Sequence, residues 1–198
     1  MTISKSRSCL LLAVVAILAG CGKQERMEAV QFAKTLKEKQ VNFVSANALE
    51  KDFVSGARAW CNGITTNGAG KGAKLDQNSA VAAELAKSAV AISAQLSQVR
   101  QVIDSQSLKE EYPESVRAQL TTQLTKRQRS LQDLRALLEQ SAPQFLEYRH
   151  NTAYKGDTYP DGIGKLDALL QAYKPPDDVV GTALAGLKEK YSLSDSEI

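Results

Sequence analysis

The chain has 198 residues, three cysteines and a formal net charge of +3. Lys5 and Arg7 supply two of those charges, so the net charge of the remainder falls from +3 to +1 and gives no argument for a nucleic-acid partner. Residues 21–198 are long enough for one domain that buries about 70% of its unfolded surface.

The first twenty residues have the layout of an export signal. Lys5 and Arg7 come just before an unbroken apolar run, residues 9–19. A membrane-spanning helix needs about 20 apolar residues, whereas the apolar core of a signal peptide has about 7–15. The length of this run therefore predicts a cleaved signal peptide and not a permanent membrane helix.

The residues that end the apolar run stand in a specific order. Leu18, Ala19 and Gly20 precede Cys21, and this segment resembles the lipobox of bacterial lipoproteins. The resemblance covers residues 1–22 only. It implies cleavage between Gly20 and Cys21, a diacylated Cys21 thiol and acyl chains such as palmitate on the new terminus. Several chains are needed for a lasting anchor, because each buried methylene contributes about 0.8 kcal/mol and one chain binds only marginally.

Residue 22 bears on the destination of the exported chain. It is Gly22 and not the Asp that resembles an inner-membrane retention signal in enteric bacteria. We therefore expect an outer-membrane lipoprotein that contacts the lipid bilayer through the acylated Cys21. Residues 1–20 are then the signal peptide, and residues 21–198 form a single periplasmic domain.

The cysteines support no internal disulfide. Cys9 leaves with the signal peptide and Cys21 carries lipid, so Cys61 has no partner even in an oxidising compartment. Since free cysteine behaves as a small hydrophobe, we expect Cys61 to be buried and inert.

Helical periodicity dominates residues 23–78. Residues 23–39 are strong helix formers, and a second helix is predicted over residues 47–61. There the apolar side chains fall at spacings of three and four, at Leu49, Phe53, Ala57 and Trp60. The glycine-rich residues 62–78 predict a loop.

The clearest pattern predicts a long antiparallel helical hairpin over residues 79–149. Its first arm has an apolar seam at Val81, Leu85, Ala89, Ile92, Leu96, Val99 and Ile103. Pro113 opens the second arm, whose apolar face holds Val116, Leu120, Leu124, Leu131, Leu134, Leu138, Phe145 and Tyr148.

The second arm has a polar gap at Arg127 and Gln128, inside the basic run of residues 126–129. This run predicts either a basic patch for anionic lipid or glycan or, as we favour, a solvated face with one polar layer.

Two shorter helices are expected near the carboxyl terminus. The first carries Ile163, Leu166, Leu169 and Leu170 and is stopped by Pro175 and Pro176. Asp177 or Asp178 caps the second, whose apolar stripe is Val180, Leu184, Leu187 and Tyr191. Because no long segment alternates with period two, we expect an all-α fold. It is a bundle of about four to six helices built around the hairpin, or a long hairpin with a smaller helical cap built from both ends.

Motifs for catalysis and metal binding are incomplete. The segment around Gly70 lacks the upstream glycine and the hydroxyl residue of a phosphate-binding loop. Residues 157–168 miss two ligand positions of a calcium loop. His150, the only histidine, has no serine elbow to serve and is expected at the end of the long helix. We therefore expect no enzyme, metal or cofactor.

A non-catalytic interaction module is the function that these patterns favour, such as an accessory subunit of a cell-envelope or secretion machine. The alternatives are an immunity or inhibitor lipoprotein against a periplasmic toxin, and a carrier with a cavity lined by Leu96, Leu124 and Leu131. We expect a periplasmic protein partner at the glycine loop and at a second loop with Tyr154, Asp157, Tyr159 and Asp161. Loops on a rigid scaffold often carry recognition, and tyrosine supplies contact area at low entropic cost.

Overall fold

The computed structural model describes residues 6–174 and 177–198, with side chains from Gly22 onward. Lys5, Pro175 and Pro176, on which parts of the export and helix-stop predictions rest, lie outside the described residues. The side chain of Cys21 also lies outside them.

Five helices account for the described fold, and these residues include no strand, so the predicted all-α bundle is confirmed. They are α1 (Ser6–Asn67), α2 (Ala73–Asp104), α3 (Glu111–His150), α4 (Asp161–Ala172) and α5 (Val179–Tyr191). Within the same residues, none of the helices is both long enough and apolar enough to cross a membrane.

Helix α1 is continuous where the sequence predicted two helices and the beginning of a loop. Residues 40–46 contain no helix breaker, and Phe43 and Ala46 are fully buried, so the buried face extends through this segment. The helix also passes Gly63 because Ile64 is buried in the core and holds the last turn there. The predicted loop of residues 62–78 is thus reduced to residues 68–72. The continuous helix is the main correction to the predicted element boundaries.

Helices α2 and α3 run antiparallel along each other. Arg149 of α3 pairs with Asp76 near the start of α2, and Thr121 bonds Asp104 at its end. Between them, the amide of Gln128 donates to the Ser93 carbonyl at 3.3 Å. Gln128 is buried and fills the polar gap in the α3 stripe.

Helices α4 and α5 pack against α1 and α3. Arg58 of α1 closes the end of α4 by donating to the carbonyl oxygens of Leu170 and Tyr173, the latter at 2.7 Å. Asp178 caps α5 by accepting a bond from the Gly181 amide at 2.8 Å, which confirms the predicted carboxylate cap.

Candidate functional site

The two loops on which the sequence placed partner recognition lie against each other. The amide of Ala69 donates to the Thr158 carbonyl at 3.1 Å, and the amide of Gly70 donates to the Gly156 carbonyl at 3.1 Å. We call residues 68–72 and 151–160 together the loop pair. Because main-chain hydrogen bonds join the two loops, they present one continuous surface.

Glycine makes this close approach possible. Gly68 has a φ of +75°, and a Cβ added to it would lie 2.8 Å from the Cα of Asp157. Gly156 has a φ of +88° and faces the backbone of Gly70. A side chain at Gly68 would be strained by its backbone conformation and would push the loops apart.

The four predicted contact residues divide into two groups. Tyr154 and Tyr159 are half-buried, whereas Asp157 and Asp161 are exposed. The phenol of Tyr154 donates to the Thr158 carbonyl at 2.6 Å, so this residue helps to hold its own loop. Asp161 is the first residue of α4, next to the loop pair.

A tyrosine of α3 also packs against the loop pair. The rings of Tyr148 and Tyr154 lie 4.6 Å apart between centroids. Desolvation by burial raises the pKa of both phenols above the usual 10.0. The exposed side chains of the loop pair include three charged ones, Lys71, Lys155 and Asp157. The other exposed side chains are uncharged, at Asn151, Thr152, Ala153 and Thr158.

Helix α1 connects Cys21 to the loop pair. The helix is unbroken from before Cys21 to Asn67, and its part from Cys21 to Asn67 spans about 70 Å at about 1.5 Å per residue. The Glu25 carboxylate, four residues after Cys21 on α1, accepts a hydrogen bond from the Tyr191 phenol.

A buried polar cluster, which the sequence did not predict, lies midway along α1. The carboxylate of Glu50 has no exposed surface and accepts hydrogen bonds from Arg127 and Tyr173. Arg127 also donates to the Asn47 amide oxygen at 2.7 Å and lies 5.0 Å from the Phe43 ring centroid. Burial raises the pKa of Glu50, and the neighbouring Arg127 opposes part of that rise.

This cluster corrects two predictions. Arg127 does not lie on a solvated face, because 88% of its side chain is buried against α1 (12% exposed). On α1, Leu49 is 43% exposed and Glu50 takes the buried position that the predicted stripe gave to Leu49. Helical spacing could have indicated that Glu50 is buried, because it lies seven residues after Phe43 and three before Phe53, both of which are buried.

Other candidates for chemistry are sequestered. Cys61 is buried, as predicted, and burial raises the pKa of its thiol to about 12, with a smaller contribution from Asp167. His150 ends α3, the position expected for it. Among the side chains of residues 22–174 and 177–198, no three His, Cys, Asp or Glu residues group into a candidate metal site. Leu96, Leu124 and Leu131 are fully buried core residues, which gives the carrier alternative no support.

Comparison of the chain with models of protein families, with curated proteins and with solved structures gave no match.

Proposed function

We propose that this protein is a bacterial outer-membrane lipoprotein, anchored through lipid on Cys21, whose periplasmic body is a non-catalytic interaction module. An accessory subunit of a cell-envelope or secretion machine fits this role. One observation carries the proposal: α1 is continuous from Cys21 to Asn67, and the loop pair begins at the next residue. A lipid anchor at one end would present the loop pair to a partner at the other.

Contacts near Cys21 favour a body that stands on the membrane without a flexible tether. Arg26, which lies only five residues after Cys21, pairs with Glu197 at 2.6 Å. The Glu28 carboxylate accepts the main-chain amides of Lys109 and Glu110 at 2.8 and 3.0 Å. Because these contacts tie the segment just after Cys21 to the bundle, an anchored body would hold the loop pair about 70 Å from Cys21 along α1.

The construction of the loop pair suits protein recognition. Main-chain hydrogen bonds hold the two loops together, so little conformational entropy is lost when a partner binds. The exposed side chains carry both signs of charge, with Lys71 and Lys155 beside Asp157. A surface with both signs of charge selects partners by their charge pattern more than by their apolar area.

The anchor is tested by metabolic labelling with a palmitate analogue in a bacterial host. We expect the wild-type protein and Cys61→Ser to incorporate the label and sediment with membranes. Cys21→Ser should incorporate none, since its hydroxyl cannot form the thioether. Equal labelling of Cys21→Ser and the wild type would contradict the lipid anchor.

The partner is tested by photo-crosslinking from single positions in cells. A photoreactive residue at Asp157 or Thr158 should give the same adduct, whereas one at the exposed Lys51 of α1 should not. Mass spectrometry of the adduct then separates an envelope-machine subunit from a toxin, which would favour the inhibitor alternative. Adducts that are the same from Lys51 and from the loop pair would contradict recognition by the loop pair.

A further inference from the structure

A groove of about 560 Å³ runs along the outer seam between α2 and α3. Small residues of α2 line one wall, among them Ala89, Ser93 and Ser97. Three arginines, Arg100, Arg129 and Arg135, line the rest together with amide and hydroxyl side chains. The residues that line this groove include three arginines and no carboxylate, so the lining itself carries positive charge. Arg135 also pairs with Glu139, which lies outside the lining, at 2.8 Å. Because both side chains of that i,i+4 pair are exposed, the pair contributes little energy and can exchange for another carboxylate.

The structure divides the basic run of residues 126–129 between two faces of α3. Arg127 turns toward α1 and pairs with the buried Glu50. Arg129 instead lines the groove and is exposed. The groove arginines therefore come from positions that the sequence does not group together, namely one on α2 and two on α3.

The three arginines are spaced along the groove. Arg100 lies across the seam from Thr125, to whose hydroxyl it donates at 3.2 Å. Arg129 lies four residues after Thr125, and Arg135 lies six residues further along. At about 1.5 Å per residue, the cations are separated by about 6 and 9 Å along the axis, or about 15 Å in total.

We propose that this groove docks an acidic amphipathic helix of a partner protein. On a helix with 3.6 residues per turn, acidic residues at i, i+4 and i+11 share one face, and they span about 16 Å. That pattern matches the arginine spacing. The groove lies along the side of the α2–α3 pair, and this proposal does not depend on lipidation of Cys21 or on the loop pair.

The walls favour a helix over a flexible polyanion. Small side chains at Ala89, Ser93 and Ser97 allow the backbone of another helix to approach closely. Val90, which is 42% exposed, adds apolar surface to the groove. An amphipathic helix can cover that apolar surface while its carboxylates meet the arginines. Arg100 also has a buried Nε with no hydrogen-bond partner among the described residues.

Fluorescence anisotropy with two synthetic peptides tests the proposal on the protein purified from membranes in detergent. The first peptide is a helix of about 18 residues with glutamates at i, i+4 and i+11 and alanine or leucine beside them. The second has the same composition in scrambled order. We expect the first to bind at least about tenfold more tightly, and its affinity to fall with added salt.

Three variants locate the binding. Arg129→Glu combined with Arg135→Glu should weaken binding of the first peptide by at least about tenfold. Ala94→Trp, at an exposed position of the lining, fills the groove without changing charge and should also abolish binding. Lys34→Glu, an exposed charge reversal on α1, should leave the affinity unchanged. If circular dichroism shows that the Arg129→Glu and Arg135→Glu double variant does not fold, the affinity of Ala94→Trp tests the location of the binding site.

Two outcomes would overturn the proposal. One is equal affinity for the two peptides, including no binding of either. The other is displacement of the first peptide by inorganic polyphosphate at matched charge concentration, because the groove would then be a general polyanion site.

Discussion

Glu50 of α1 and Arg127 of α3 form an ion pair inside the bundle, where the Glu50 side chain is 0% and the Arg127 side chain 12% exposed. Tyr173, which follows α4, donates to the other oxygen of the same carboxylate. One buried carboxylate therefore links α1, α3 and the end of α4. Because removal of either partner leaves a buried charge without compensation, the cluster specifies how these helices are arranged.

Breaking the ion pair should destabilise the fold strongly. We expect Arg127→Met to lower the free energy of unfolding by about 3–5 kcal/mol, since Glu50 would remain buried without its cation. The double variant Glu50→Leu with Arg127→Met should recover most of that loss. Urea denaturation followed by circular dichroism measures both. A double variant as unstable as Arg127→Met would contradict the role of the uncompensated charge.

The pKa of Glu50 predicts a pH dependence. Burial raises that pKa above the usual 4.5, so the folded state binds the proton more readily than the unfolded state. The contribution of Glu50 to stability should therefore increase as the pH falls through its folded pKa, and level off below about 4.5. The test compares the wild type with Glu50→Gln across this range. A stability difference that is constant or moves the other way would contradict the raised pKa.

Glu197 should titrate in the opposite sense. The amide of Ser194 and the guanidinium of Arg26 bond its carboxylate and lower its pKa from 4.5 to about 2. Its stabilising contribution is present above pH 4.5 and is lost as the pH falls through about 2. We expect NMR titration of the side-chain carboxyl to give a midpoint near 2, and Arg26→Ala to raise it. A wild-type midpoint near 4.5 would show that these contacts do not form.

The two glycines Gly68 and Gly63 should respond to alanine in opposite directions. At Gly68, with its positive φ and its contact with Asp157, alanine should cost about 1–3 kcal/mol. It should also speed hydrogen exchange at the Ala69 and Gly70 amides, which bond the partner loop.

Gly63 is the matched control, because it lies within α1 with no atom within 4 Å of an added Cβ. Alanine there should stabilise the protein by about 0.5–1 kcal/mol. Thermal unfolding reports both changes. Similar melting temperatures for the two variants would mean that the loops do not need glycine at residue 68.

The thiol of Cys61 should react only when the protein unfolds. Its side chain has no exposed surface, and its pKa of about 12 keeps it protonated at neutral pH. We expect a thiol reagent at pH 8 to label Cys61 slowly in the native Cys21→Ser protein and rapidly in urea. Since unfolded cysteine ionises near 9.0, stability should also fall as the pH rises from about 9 toward 12. Rapid native labelling would contradict this burial.

The local pattern of the sequence was enough for most of the helices. Apolar spacing of three and four residues predicted α3, and the sequence predicted Asp177 or Asp178 as the cap of α5, where the structure has Asp178. At the start of α2, the buried face lies one residue away from the predicted apolar seam. Ala82 and Ala86 are buried there, whereas the predicted Val81 and Leu85 are half-buried. Alanine is small enough to lie in the closest contact between helices, and hydrophobicity alone does not report that.

The proposal of a lipid anchor on Cys21 also comes from the sequence alone, because signal peptides and lipoboxes are read as linear motifs. Tertiary structure decided what no linear pattern contains. It joined the ends of two helical segments into the single helix α1, and it brought residues 68–72 against residues 151–160. It also turned Arg127 inward to Glu50, while Arg129, two residues later, faces the groove. The physical reason is that helix spacing fixes which side chains share a face, whereas only packing fixes what each face meets.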